Sequence, residues 1–408
     1  MERWEVVIVG GGAAGLVAAG AAARAGAKTL VLEKMRQTGR KVSISGKGRG
    51  NVTNDKPVEL FVEGYRRGGD FLRGAFARFF APDLLEILER RQVPCVVERG
   101  GRYFPKSGKA TDVAQALYRW ARSDGGAVRT EADVKDIEKT GDLFHLRLAR
   151  GEIFADRLIL ATGGKSYPRT GSTGDGYRFA QRLGHTLATP RPALTPLAIE
   201  TDFAPFEILL HNVRVTLRDG KRAVADGFGE ALFSENALGG AVPIDLSRDV
   251  ADLSAPAISL DFKAALDREQ LDARLRRDLD ANGKAPLQQV LNGLLPQAVI
   301  PPFVKRLGLN LDQRCAEVGK STRRALGDLC KDFPLKVVGV HGWDEALITV
   351  GGVVLDEIEP RTMESRLVPG LYVCGELLDI DGVTGGYNLQ AAFSTGFVAG
   401  DAAGKGLR

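Results

Sequence analysis

Cysteine is scarce in this chain: Cys95, Cys315, Cys330 and Cys374 are the four in 408 residues. None forms a C-x-x-C pair, which argues against a dithiol redox enzyme and against a zinc ribbon. So few cysteines, with no secretory leader, place the expectation in a reducing cytosol. Long apolar runs are missing as well. The longest, Ala13 to Ala27, contains Gly15, Gly20 and Arg24 and is too short to span a membrane. Aromatic residues make up only 7% of the chain, which leaves little for stacking on nucleobases. No long block of like charge occurs, so there is no electrostatic tail. No Ser-His-Asp order and no metal-ligand cluster stands out, which counts against a hydrolase and a metalloenzyme.

Glycine, by contrast, is abundant, 50 residues or about 12% against a usual ~7%. It follows no collagen-like period, so it belongs in turns and in close approaches of backbone to ligand. The net charge of +5 admits an anionic partner without requiring one, since a bound dinucleotide also needs cations.

The first fifty residues carry the strongest signal. Glu5 to Val9 is an apolar run, Gly10, Gly12 and Gly15 follow as G-x-G-x-x-G, an alanine-rich segment reaches Gly26, and Lys28 to Leu32 is a second apolar run closed by Glu33. That order reads strand, tight turn, helix, strand, acid. The glycines serve the turn, the approach to a pyrophosphate and helix–strand packing, while the helix N-terminus attracts the phosphates. Glu33 stands where an acid holds a ribose hydroxyl and repels a 2′-phosphate, favouring FAD or NAD over NADP. Lys34 to Asn54 then reads as a polar, glycine-rich loop whose Arg40, Lys41, Lys47 and Arg49 can wrap an anionic cofactor.

Further along, Asp83 to Arg91 has helical spacing, Ala127 to Glu138 and Leu143 to Leu148 alternate like strands, and Ala155 to Thr162 is a buried strand ending at Gly163. Pro190, Pro192 and Pro196 mark a boundary. Short strands and turns fill Leu197 to about Leu260, and charged helices follow to Lys331. After Trp343 the glycine-rich style returns. Leu371 to Cys374 is a strand with Gly375 and Glu376 at its end, and Gly385-Gly386 precedes a helix starting near Asn388. A strand end, an acid and a helix N-terminus suit the ribityl and pyrimidine end of a flavin, because the helix dipole stabilises negative charge there.

Five motifs together resemble the BaiN/YhiN-like family of FAD-dependent oxidoreductases, within the two-dinucleotide-binding-domain flavoproteins. They are the loop Ser45 to Asn54, the block Gly101 to Val113, the run Ala161 to Tyr177, the tetrapeptide Thr362 to Ser365, and the closing segment Gly375 to Gly396. The resemblance implies an α/β fold: a Rossmann-like FAD-binding domain built from both chain ends (1–190 and 341–408), with an inserted β-barrel plus helical domain (191–340; barrel about 191–260, helices about 261–335). It implies FAD contacts from Gly10, Gly12, Ala13, Ala14, Gly15, Glu33 and Lys34. Arg40, Lys41, Ser45, Gly46, Arg49 and Asn51 follow, then the backbone of Val134 toward the adenine, Thr162 and Gly163. Gly375, Glu376, Gly386, Asn388, Leu389 and Gln390 complete the set. It also implies reduction of a conjugated C=C bond, in a small organic molecule or in a uridine of ribosomal RNA. NAD(P)H would be a transient reductant, since no second G-x-G-x-x-G is visible. An oxidase or dehydrogenase, and a non-catalytic flavin-binding module, are the competing expectations.

Two departures separate this chain from the family pattern. Gly50 stands where Cys is common, and Glu235 with Ala241 stands where His and Pro are common. The missing thiol and imidazole would be proton donors, so the chain reads as a distinct branch. Tyr167, Arg169, Glu235 and Asp381 are the remaining candidate donors, each also readable as a structural hydrogen-bonding residue, and the catalytic group stays unassigned. Cys374 reads as a small core residue, and His211 and His341 as structural.

Overall fold

The computed structural model describes residues 2–203 and 206–406, apart from the side chain of Arg67. Residues up to Pro192, together with those from Trp343 onward, form one compact unit, and Ala193–Gly342 form a second.

The first unit is built on a seven-stranded sheet. Its centre is β1 (Arg3–Val9), flanked in parallel by β2 (Thr29–Leu32) and by the strand Glu152–Leu160. Val6, Val7 and Ile8 are fully buried, as expected of a strand covered on both faces. Ala127–Arg129 extends the sheet beyond β2 in parallel. Glu152–Leu160 divides its free side between two partners. Its first half pairs antiparallel with Leu143–Leu148, and its last three residues pair parallel with Leu371–Val373. A strand that follows the second unit in the chain therefore completes the sheet that β1 begins.

The helix α1 (Ala13–Arg24) is almost entirely buried, which its alanine-rich sequence permits. It lies along the C-terminal helix Tyr387–Lys405. A Cβ on Gly396 would sit 2.3 Å from the Ala14 carbonyl oxygen, and one on Gly400 would sit 2.1 Å from that of Ala18. One on Gly404 would meet the Ala22 oxygen at 2.9 Å. Both series step by four in the same direction, so the helices run parallel at backbone contact. Their N-termini therefore point the same way, offset by about 12 Å at 1.5 Å per residue.

The segment Thr362 to Ser365 is a structural corner. Ser365 Oγ accepts the Val368 amide at 2.9 Å and lies 2.9 Å from Nε2 of His185, a fully buried imidazole. On its other side, His185 Nδ1 meets Glu357 Oε2 at 2.8 Å, and the same oxygen accepts the Thr186 amide at 3.0 Å. Burial opposes ionisation of Glu357, but the Thr186 amide and the His185 ring outweigh it and hold its pKa below the ordinary value.

The second unit is a closed six-stranded barrel. Its order is Leu197–Glu200, Ala237–Gly239, Arg222–Ser234, Ile208–Asp219, Pro256–Asp261 and Phe333–Val340. Two of these strands, at 12 and 13 residues, are longer than the short strands expected from the sequence. The run is continuous because Asn212 adopts φ +55° within a bulge. The helices Arg268–Ala281, Leu287–Leu294, Ile300–Leu307 and Lys320–Lys331 share its apolar core. No helix among the described residues is long and apolar enough to cross a membrane.

Two variants test these contacts. Gly396→Val forces a side chain into the Ala14 carbonyl and should destabilise by about 2–4 kcal/mol, read as a lower melting temperature. Glu357→Gln should lower the melting temperature at neutral pH. A carboxyl with a depressed folded pKa stabilises above its unfolded value and loses that stabilisation as pH falls, so the gap to wild type should narrow in acid. A gap that widens in acid would refute this.

Candidate active site

Glycines 10, 12 and 15 differ in what requires them. Gly10 has φ +108°, and a Cβ there would lie 2.4 Å from the Ala161 oxygen. A Cβ on Gly15 would lie 1.9 Å from the Gly10 oxygen. Both are demanded by the protein's own packing. At Gly12 a Cβ meets nothing within 4 Å. Gly12 caps α1, so this open space lies before free N–H groups and the positive end of the helix dipole. Ala13 is half-buried beside it, and Ala14 packs against Gly375.

Glu33 ends β2. Its Oε2 accepts the Gly11 amide and its Oε1 the Met35 amide, each at 2.8 Å. Burial raises its pKa against the pull of those amides and of Lys34. The Glu33 carbonyl accepts the Ala132 amide at 2.9 Å, which brings the chain just before Val134 alongside it.

The stretch after Glu33 is more ordered than the loop expected from sequence. It contains α2 (Arg40–Ile44) and a 3-10 turn, Ser45–Gly48. Four of its cations have protein partners. Lys34 Nζ meets Asp175 Oδ2 at 2.6 Å and also Thr173 Oγ1. Arg40 Nη2 donates to the Arg169 carbonyl at 3.1 Å, while its buried Nε has no partner. Lys41 Nζ meets Glu376 Oε2 at 2.7 Å and Ser166 Oγ. Glu376 Oε1 accepts from Ser166 Oγ and from the Thr349 amide, both at 2.8 Å. Arg49 forks onto Glu98 and lies 4.5 Å over the Phe104 ring, on an exposed edge. Ser45 Oγ donates to the Val42 carbonyl at 2.7 Å, and Gly46 has φ +56°.

At the other pole, the first-turn amides of the helix Tyr387–Lys405 have no intrahelical acceptor. Asn51, with its amide oriented to satisfy both neighbours, accepts from Gly386 N at 3.1 Å and donates to the Thr53 carbonyl at 3.2 Å. Asn388 uses its side chain to hold Gly382, at 2.8 Å to both its amide and its carbonyl. Leu389 is half-buried beside it. Gln390 is fully buried, and its amide donates to the Gly386 carbonyl at 3.0 Å, so it supports the helix from within. Thr162 and Gly163 close the strand Glu152–Leu160 beside Gly10.

The candidate donors differ in their surroundings. Cys374 and Asp381 have no exposed surface, and burial pushes the Cys374 thiol far up. The Arg169 carbonyl is committed to Arg40. Glu235 lies in the second unit at φ +51°, in the turn joining two barrel strands. His211 is exposed beside Glu230 at 3.1 Å. The His341 amide donates to the Pro196 carbonyl at 3.0 Å. Gly50 explains its own departure from the family pattern. It has φ +84°, and a Cβ would press on Ala110 Cα at 3.0 Å, so cysteine is strained there. Ser166 and Asp175 are read only within the run Ala161 to Tyr177, because nothing local in sequence marks partners 125 to 210 residues apart.

A family model described as the HI0933-like protein Rossmann domain matches residues 4–402. The chain belongs to the HI0933-like family. It is 32% identical over 406 residues to a 3-dehydro-bile acid delta(4,6)-reductase of Clostridium scindens, covering 98% of both chains. It is 28% identical to a ribosomal RNA dihydrouridine synthase of Escherichia coli, covering 97% of this chain and 96% of that one. A 3-ketosteroid-delta4-(5alpha)-dehydrogenase from Rhodococcus jostii RHA1 shares the fold, with TM-score 0.51 at 16% identity, covering 99% of this chain and 97% of that one. This HI0933-like protein is an FAD-dependent oxidoreductase. Its cradle suits that cofactor: open space before α1, an unpartnered buried Arg40 Nε, and two parallel helix N-termini for the charged positions of an extended ligand.

The glycines give a paired test. Gly12→Val should melt like wild type yet purify without FAD. Gly15→Val should destabilise the fold itself. A Gly12→Val protein that stays yellow would show that the cofactor does not cross this space.

Proposed function

We propose that this protein reduces a conjugated C=C bond in a small organic molecule, with electrons drawn from NADH or NADPH through FAD. The full-length similarity to the bile acid reductase carries this reading. Bound FAD would accept hydride from the nicotinamide and pass it to one end of the C=C bond.

The chain's own residues support that chemistry in three ways. The N-terminus of Tyr387–Lys405 offers amides and positive potential where negative charge gathers on reduction. Lys41 and Glu376 neutralise each other in the cradle, so neither imposes a lone charge on the ring. The Cys374 thiol, held neutral by burial, adds no competing nucleophile. The proton for the second carbon comes from a group other than a thiol at position 50.

A second reading, reduction of a uridine in RNA, draws on the two relatives named ribosomal RNA dihydrouridine synthases. Four cations of the helical part of the second unit are already engaged. Arg323 pairs with Asp272 at 2.8 Å, Lys331 with Asp261 at 2.6 Å, Arg306 with Asp202 at 3.0 Å, and Arg268 with Asp328. Cations committed to neighbouring carboxylates offer less to a phosphate backbone.

Purified protein should be yellow. Anaerobic NADH or NADPH should bleach it, and a conjugated steroid enone should restore the colour. Bleaching by an alcohol or amine, with neither nucleotide active, would instead make it an oxidase or dehydrogenase. RNA binding that weakens steeply with salt would favour the second reading.

A further inference from the structure

Three of the cations after Glu33 reach partners in one segment. Lys34 reaches Asp175 and Thr173, Arg40 reaches the Arg169 carbonyl, and Lys41 reaches Ser166. Between these points a Cβ on Gly171 would lie 2.8 Å from Met35 Cγ. Two stretches, 34–41 and 165–175, are thus fastened side by side at four places.

Topology says what they cross. The first leaves the end of β2 and the second leaves the end of Glu152–Leu160, the two strands that flank β1. The end of β1 leads to Gly10 and the α1 N-terminus. Loops from the two neighbouring strands therefore meet across the crevice where the pyrophosphate of a dinucleotide belongs.

The second loop is built to keep its shape. Tyr167 holds φ +50° directly before Pro168, a costly conformation. Three hydrogen bonds fix it. Its amide donates to the Trp343 carbonyl at 3.0 Å, and its carbonyl accepts from Thr170 N at 2.8 Å and Thr170 Oγ1 at 2.7 Å. The main fastener is partly shielded: the Lys34 and Asp175 side chains are 24% and 38% exposed.

We infer that these two loops form a clasp across the FAD pyrophosphate, with the Lys34–Asp175 pair as its latch, and that the clasp must open for the cofactor to enter or leave. Lys34 then acts on the cofactor through Asp175 and is no direct ligand of the phosphate. The inference rests on FAD occupying the cradle.

Kinetics separates a latch from a ligand. Losing a direct contact speeds departure only, whereas opening a gate speeds both directions. FAD association and dissociation rates, followed by flavin fluorescence in the full-length protein, should each rise about fivefold in Lys34→Asp and in Asp175→Lys, the scale of one modest ion pair. The double variant, with the charges exchanged, should return toward wild-type rates. Should Lys34→Asp melt early, Lys34→Met reads the same two rates. Faster release with unchanged association, and no rescue by the exchange, would make Lys34 a direct cofactor ligand and overturn the clasp. Unaltered rates in both single variants would overturn it alone. A wild-type chain that takes up no FAD would overturn the cofactor reading along with it.

Discussion

The contact between α1 and the helix Tyr387–Lys405 is the constraint on which the rest of the first unit depends. Gly396, Gly400 and Gly404 leave no side chain between themselves and the carbonyls of Ala14, Ala18 and Ala22. Only at that distance do both helices aim their N-termini into one cradle with a fixed offset. Gly375 then fits against Ala14, and Asn51 reaches Gly386. Wider spacing would pull both apart, and the two poles would no longer serve one ligand.

Much of the fold was legible because it is written in local patterns. The apolar run before Gly10, the alanine-rich stretch after it and Glu33 behind them give strand, helix and strand in order. The parallel core follows because such runs must be covered on both faces. The barrel was legible through the family motifs more than through its residues. Its two long strands were read as several short ones because glycines and charges interrupt Arg222–Ser234, and pairing on both sides overrides them.

Residue types in the candidate site are plain in the sequence, while their partners are not. Sequence marks Lys34, Lys41 and Glu376 as charged residues near glycines, which fits holding an anion. What it cannot mark is that Lys41 finds Glu376 at a separation of 335 residues, or that Lys34 finds Asp175 at 141. Asn388 and Gln390 show the same limit. Both stand in a motif that reads as ligand-binding, and in the fold one also braces Gly382 while the other is buried. A motif records that a residue type is needed, and the need is often the loop's own geometry.

The helix contact also bears on how the chain is made. The face of α1 that awaits Gly396 to Gly404 is synthesised long before its partner helix. At ordinary ribosomal speeds the alanine surface stands uncovered for roughly twenty seconds to over a minute. The barrel unit, whose strands all lie between those two helices in the chain, is complete within that interval. Biogenesis therefore has an intrinsic order, in which the nucleotide fold is begun before the barrel unit and closed after it.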